Sequence, residues 1–131
     1  MSRNAPAASE LSHWPVQLHL INPRAAHYRG SDLLLAADCT AFTVGNFHNS
    51  YLRGKTLAIA CPKLDSDQQV YSDKLTALIE EAAITSLTVL VMEVPCCSGL
   101  WRLAETAAAK ASRTIPLKKI VVGINGEPCG F

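Results

Sequence analysis

The sequence predicts an α/β fold: a single three-layer domain on a mainly parallel five-stranded sheet. Three observations lead there. Five apolar runs, at 16–21, 32–37, 56–60, 87–92 and 119–124, have the length and β-branched content of strands. The runs at 33–37 and 87–92 are apolar at nearly every position, as central strands covered on both faces are. Helical patterns alternate with the later runs, which calls for right-handed crossovers between parallel strands.

The first run, 16–21, reads as an edge strand, and the link that follows, 22–31, lacks a helical pattern. Strand order near the start is therefore open. After the second run, the stretch 42–52 has room for a short helix, weakened by Gly45 and Asn46. Between the third and fourth runs, Tyr71, Leu75, Leu78, Ile79 and Ala82 recur at helical spacing. Asp73, Lys74, Glu80 and Glu81 take the other face, and Ser66 with Gln69 has the form of a capping box. A second helix is expected over 98–112, with Leu100, Leu103, Ala104, Ala107 and Ala111 inward and Pro116 helping to stop it. Asn125-Gly126 is a turn signal that folds 127–131 back as a hairpin arm. Residues 1–12 read as a flexible leader and 13–131 as the domain, of Rossmann-like or flavodoxin-like type.

Composition narrows the function. The chain has 131 residues, 49% of them hydrophobic and 18% charged, enough to bury one core. Twelve Lys and Arg face eleven Asp and Glu, a net charge of +1. Bulk electrostatic capture of nucleic acid or of an anionic membrane is not expected at that balance. No apolar run approaches the roughly 18 residues that a membrane helix needs. The first ten residues have no apolar signal core, so the expected compartment is the reducing cytoplasm, where five cysteines need an account other than disulfides.

Their placement supplies one. Cys39 follows the second run, Cys61 ends the third, and Cys96 and Cys97 follow the fourth. In a parallel sheet these positions share the carboxyl edge, where such folds build their sites. Thiols gathered there suit a soft metal or an iron–sulfur cluster, because thiolates neutralise and hold the irons. Taken singly, each cysteine reads equally well as a small buried hydrophobe; three successive strand ends carrying Cys make the joint pattern informative. At least one of the adjacent pair is expected to face the site, with its sulfur gathered beside those of Cys39 and Cys61. Cys129 joins only if the hairpin arm folds toward that edge.

At these cysteines the sequence resembles the C-terminal domain of small ferredoxin-like 4Fe-4S binding proteins of anaerobic bacteria and archaea. The resemblance is carried by Trp14-Pro-Val-Gln-Leu, Ala37-Asp-Cys-Thr-Ala-Phe, Asn46-Phe-His, Cys61-Pro-Lys-Leu-Asp and Met92-Glu-Val-Pro-Cys-Cys. It implies a cysteine-lined site with Cys39, Cys61, Cys96 and Cys97 as ligands of a 4Fe-4S cluster. Relatives with a ferredoxin module carry Cys-x-x-Cys-x-x-Cys runs ahead of this domain, and those runs are absent here. Electron transfer by that module therefore does not carry over.

His48 follows Cys39 closely enough to complete a mixed site or to hydrogen-bond a cluster sulfur, although a loop histidine more often caps backbone groups. Asp38 and Glu93 precede cysteine sites and read as acceptors near the ligands or as caps of the next turn. Lys63 reads as a solvated cation near Cys61, and Trp14 and Trp101 as packing anchors. His13, His19 and His27 take no functional role. No phosphate loop, dinucleotide motif or nucleophile elbow is present. The leading expectation is an iron–sulfur protein of redox or electron-carrier type with a partner protein, and a homodimer sharing the site is an allowed arrangement. A zinc site built from the same thiols is the alternative. A thiol enzyme with Cys97 as nucleophile and His48 as base is a third.

Overall fold

The computed structural model describes residues 8–61, 68–94 and 98–129. Four parallel strands form the body of the sheet: β1 (Asp32–Ala37), β2 (Thr56–Ala60), β3 (Ser86–Met92) and β4 (Leu117–Val122). A two-residue β5 (Pro128–Cys129) adds antiparallel to β4, and the order across the sheet is β2-β1-β3-β4-β5. Leu33 to Ala37 are all buried, as expected for a central strand flanked on both sides. No helix among the described residues is long and apolar enough to cross a membrane.

Handedness distributes the helices. The connections from β2 to β3 and from β3 to β4 run one way across the sheet, so their helices, α2 (Gln68–Glu80) and α3 (Ser98–Lys110), share one face. The connection from β1 to β2 runs the other way. It puts a short α1 (Thr40–Thr43) and a π-helix (His48–Leu52) on the opposite face. Helix α2 buries Tyr71, Leu75, Leu78 and Ile79, as its periodicity predicts, and α3 buries Leu100, Ala104 and Ala107. Trp101 packs partly buried under the Lys119 ammonium, 5.5 Å from its ring centre. Beyond the helices, Glu80 accepts from the Ser112 backbone N–H and, at 2.8 Å, from its hydroxyl. These bonds hold its carboxyl below the usual range.

The parallel body has four strands, not five, because the run at 16–21 does not form a strand. Gln17 makes one parallel bridge to Ile59. The chain then turns: the Leu20 and Ile21 N–H groups both donate to the Gln17 carbonyl, and the Gln17 side-chain oxygen accepts from the His19 N–H at 2.6 Å. A side chain that satisfies local backbone competes with the ladder. Burial agrees, since Leu18 and Ile21, three apart, are inside while Leu20 is 69% exposed. Strand alternation would have buried residues 18 and 20 together. Smaller departures follow the same logic. Strand β4 starts at Leu117 rather than 119 and ends at Val122, leaving Ile124 exposed on the hairpin turn. Trp14 is 76% exposed and anchors no core. The stretch 42–52 divides at Gly45-Asn46 into the end of α1 and the separate π-helix. Ser66, half of the expected capping box, lies outside the described residues.

What the 13–28 segment does instead is close the open edge of β2. The Leu57 N–H donates to His13 Nε2 at 3.0 Å and the buried Tyr28 hydroxyl donates to the Leu57 carbonyl at 3.1 Å. The Ile59 N–H donates to the Val16 carbonyl, and the Leu18 N–H donates to the Ile59 carbonyl, both at 2.8 Å. All four outward polar groups of Leu57 and Ile59 are thereby paired, which blunts an edge that would otherwise template association. Burial pushes the Tyr28 phenol above its ordinary range. Lys74 ties the turn to α2 by donating to the His19 and Ile21 carbonyls.

His13 gives this closure a pH dependence. Its ring stacks on His27, with centroids 4.2 Å apart and planes 10° from parallel. Burial, then the neighbouring His27 charge, holds its pKa below the ordinary 6.5. The folded state thus prefers neutral His13, so its contribution is complete above pH 6.5 and is lost as pH falls below that value. Urea midpoints should drop between pH 7.5 and pH 5, and the drop should shrink in His13→Gln, whose Oε1 reaches the Nε2 position to accept from Leu57 but cannot titrate. Equal slopes in the two proteins would count against this account.

Candidate functional site

The two ends of the sheet are chemically unlike. At the amino end, Asp32 accepts from the Thr85 and Ser86 hydroxyls at 2.7 Å each, which holds its carboxyl low, and Ser31 meets Thr56 at 2.8 Å. Polar groups there lock strands together. At the carboxyl end, the connection leaving β1 turns toward β2 while β3 lies on its other side, the reversal of strand order at which open α/β sheets place their sites.

Cys39 and Cys61 stand at this end. Ala37 pairs with Ala60, and the Asp38 N–H extends the ladder by donating to the Ala60 carbonyl at 3.2 Å. Cys61 is the next residue of one strand and Cys39 the second next of its neighbour, so both leave the sheet at nearly one level. Cys39 is exposed and Cys61 half-buried. Cys39 also precedes α1, and its carbonyl accepts from the Thr43 N–H and hydroxyl at 3.2 and 3.0 Å. Strand β3 ends at the same edge at Met92, paired with Val122. Cys96 and Cys97, like Lys63, lie outside the described residues. Among the described residues, no three His, Cys, Asp or Glu side chains form a group able to hold a metal ion.

Cys129 is placed by the hairpin arm, which forms as the Asn125-Gly126 turn predicts. Its backbone pairs with Val121 on the outer side of β4, three strand spacings from β1, each about 4.8 Å. The arm therefore carries Cys129 along the far edge of the sheet, away from Cys39 and Cys61.

His48 begins the π-helix, and its Nδ1 accepts from the Glu10 N–H at 3.0 Å. In the neutral ring that bond assigns the proton to Nε2, so His48 donates there and does not present a ligating or proton-accepting lone pair. This geometry suits a hydrogen bond to a sulfur or an oxygen better than a base for a thiol. Glu93 accepts from the Ile124 N–H at 3.2 Å, tying the end of β3 to the hairpin turn 31 residues away rather than to the turn that follows it in sequence. Asp38 is half-buried, its Oδ1 shielded from solvent.

Nothing in the sequence marks the cleft beside Asp38. About 230 Å³ lies between the outer face of β1–β2 and the layer of α1, the π-helix and the segment around Leu11 and Val16. Leu57, Ile59, Phe47 and Leu52 are among its apolar walls, and Asp38 and His48 are its ionisable members. The alternation of Leu57 and Ile59 marks them as facing one layer; nothing local indicates that this layer stands off.

An open parallel α/β sheet with its loops converging at the carboxyl edge defines the class of this protein. A family model described as Rossmann-like domain matches residues 25–128, and the chain belongs to that family. An uncharacterized protein of Archaeoglobus fulgidus is 26% identical over 117 residues, covering 89% of this chain and 81% of the relative. No solved structure matches the chain.

The hairpin that bounds this edge depends on Gly126. Its φ is +87°, and a Cβ there would lie 2.7 Å from the Thr43 carbonyl oxygen of α1. Gly126→Ala should destabilise the protein by about 1–3 kcal/mol through strain and displacement of the arm, read as a lower urea midpoint at unchanged slope. An unchanged midpoint would show that the turn moves away from α1 at no cost.

Proposed function

We propose that this chain is an iron–sulfur protein with a redox or electron-transfer role, binding a 4Fe-4S cluster through Cys39, Cys61 and the Cys96-Cys97 pair. The observation that carries the reading is the in-register ending of adjacent strands: Cys39 and Cys61 leave β1 and β2 at one level. The paired cysteines come four and five residues after β3, the strand on the other side of β1. Two thiols alone hold no cluster, so the reading requires at least one of Cys96 and Cys97. Thiolates would neutralise the irons. Exposure of Cys39 supports electron exchange at this edge with a partner protein.

Protein isolated without air should be brown, with iron and acid-labile sulfide near the ratio of a four-iron cluster, and Cys61→Ser should lose the colour. Zinc near stoichiometry without sulfide would replace this reading with a closed tetrahedral thiolate site using the same residues. Protein that stays colourless and takes up neither iron with sulfide nor zinc on reconstitution would defeat both.

A further inference from the structure

The geometry points to a second site in this chain, independent of any cluster: the cavity beneath Asp38 is a binding pocket for a small neutral aromatic or branched molecule carrying one hydroxyl. Size comes first. The cleft is half-open to solvent, with the exposed Phe42 at its rim, and its space of about 230 Å³ is more than one ordered water fills. That space admits a small organic molecule such as a phenol and is too small for a large cofactor. The walls come next. Leu57, Ile59, Phe47 and Leu52 offer apolar surface, so water gains little there and an apolar body gains most.

The two ionisable wall residues then select the polar group. His48 is a donor, because its Nδ1 already accepts from the Glu10 N–H. Asp38 is an acceptor with Oδ1 buried, and a carboxylate has about four lone-pair sites, so it can take a ligand O–H beside its other bonds. A hydroxyl donates and accepts at once, and so satisfies both. A carboxylate ligand would meet Asp38 as a like charge, and a pure hydrocarbon would give neither group an additional hydrogen bond. The pocket is anchored by the sheet: Leu57 and Ile59 are the two β2 residues whose backbone is fixed on its outer side by His13, Val16, Leu18 and Tyr28.

The test uses the full chain, with and without bound metal, titrated with phenol, toluene and benzoate by calorimetry and ligand-detected NMR. Phenol should bind saturably at one site and raise the unfolding midpoint whether or not iron is present. Toluene should bind about tenfold more weakly, the loss expected for one net hydrogen-bonding partner set, and benzoate should not bind. Ile59→Phe, which places a larger ring in the cavity from a half-buried position, should abolish phenol binding while the circular dichroism spectrum stays that of the wild type. His48→Leu should erase the preference for phenol over toluene. Absence of saturable phenol binding to the wild-type chain would overturn the inference, as would benzoate binding equal to phenol or binding that survives in a folded Ile59→Phe variant. None of these outcomes depends on whether the thiols hold a cluster.

Discussion

The parallel register between β1 and its two neighbours is the constraint from which the other features follow. Leu33 to Ala37 align with Thr56 to Ala60 on one side, and Asp32 to Ala36 align with Ser86 to Leu90 on the other. Because parallel ladders fix strand ends together, residues far apart in sequence leave the sheet at one edge. A slip of one residue would turn every β1 side chain to the other face and bury Asp38 in place of Ala37. The register is secured by apolar burial on both faces, with Leu33, Leu35, Leu87 and Val89 beneath α2 and α3. It is also pinned at the amino end by Asp32 with Thr85 and Ser86. Stability and site geometry thus rest on the same alignment, with the polar locks at one end and the thiols at the other.

Edge closure is the second consequence. A four-stranded parallel sheet has two open sides, and each is closed by chain from outside the βαβ repeat. On the β4 side the two-residue β5 returns from the Gly126 turn, which sits against Thr43. On the β2 side the closure combines two backbone bonds with two side chains, His13 and Tyr28. Because the segment from Leu11 to Val16 approaches β2 along its edge rather than lying flat on its face, it roofs part of that face without filling it. The cavity between Ile59 and the π-helix is the space left. Its two ionisable members come from different elements: Asp38 from the end of a strand, and His48 from the π-helix, where it accepts from the Glu10 backbone.

Membership in the Rossmann-like family is consistent with a carboxyl-edge site but does not assign its chemistry, since this architecture supports many unrelated functions. The residues at the edge must carry that argument. They are unusual for such a fold in offering thiols and no phosphate-binding glycine loop.

The sequence by itself determined the four parallel strands, the two long helices and the hairpin turn, because each is written locally. Continuous apolar runs need burial on two faces, apolar residues at helical spacing need one, and Asn-Gly suits a tight turn. It also placed Cys39 and Cys61 at strand ends, since a strand's end is visible where its apolar run stops. The structure alone decided the fate of 16–21, whose apolar content fits a strand but whose Gln17 bonds its own turn. It alone showed that His13 serves an edge 44 residues away and that the Glu10 N–H donates to His48 Nδ1. The same holds for Cys129, carried along the far strand. Apart from the local turn at Gln17, each of these depends on a backbone group contributed by a distant part of the chain, and hydrogen-bond partners brought together by folding leave no periodicity in the sequence to read.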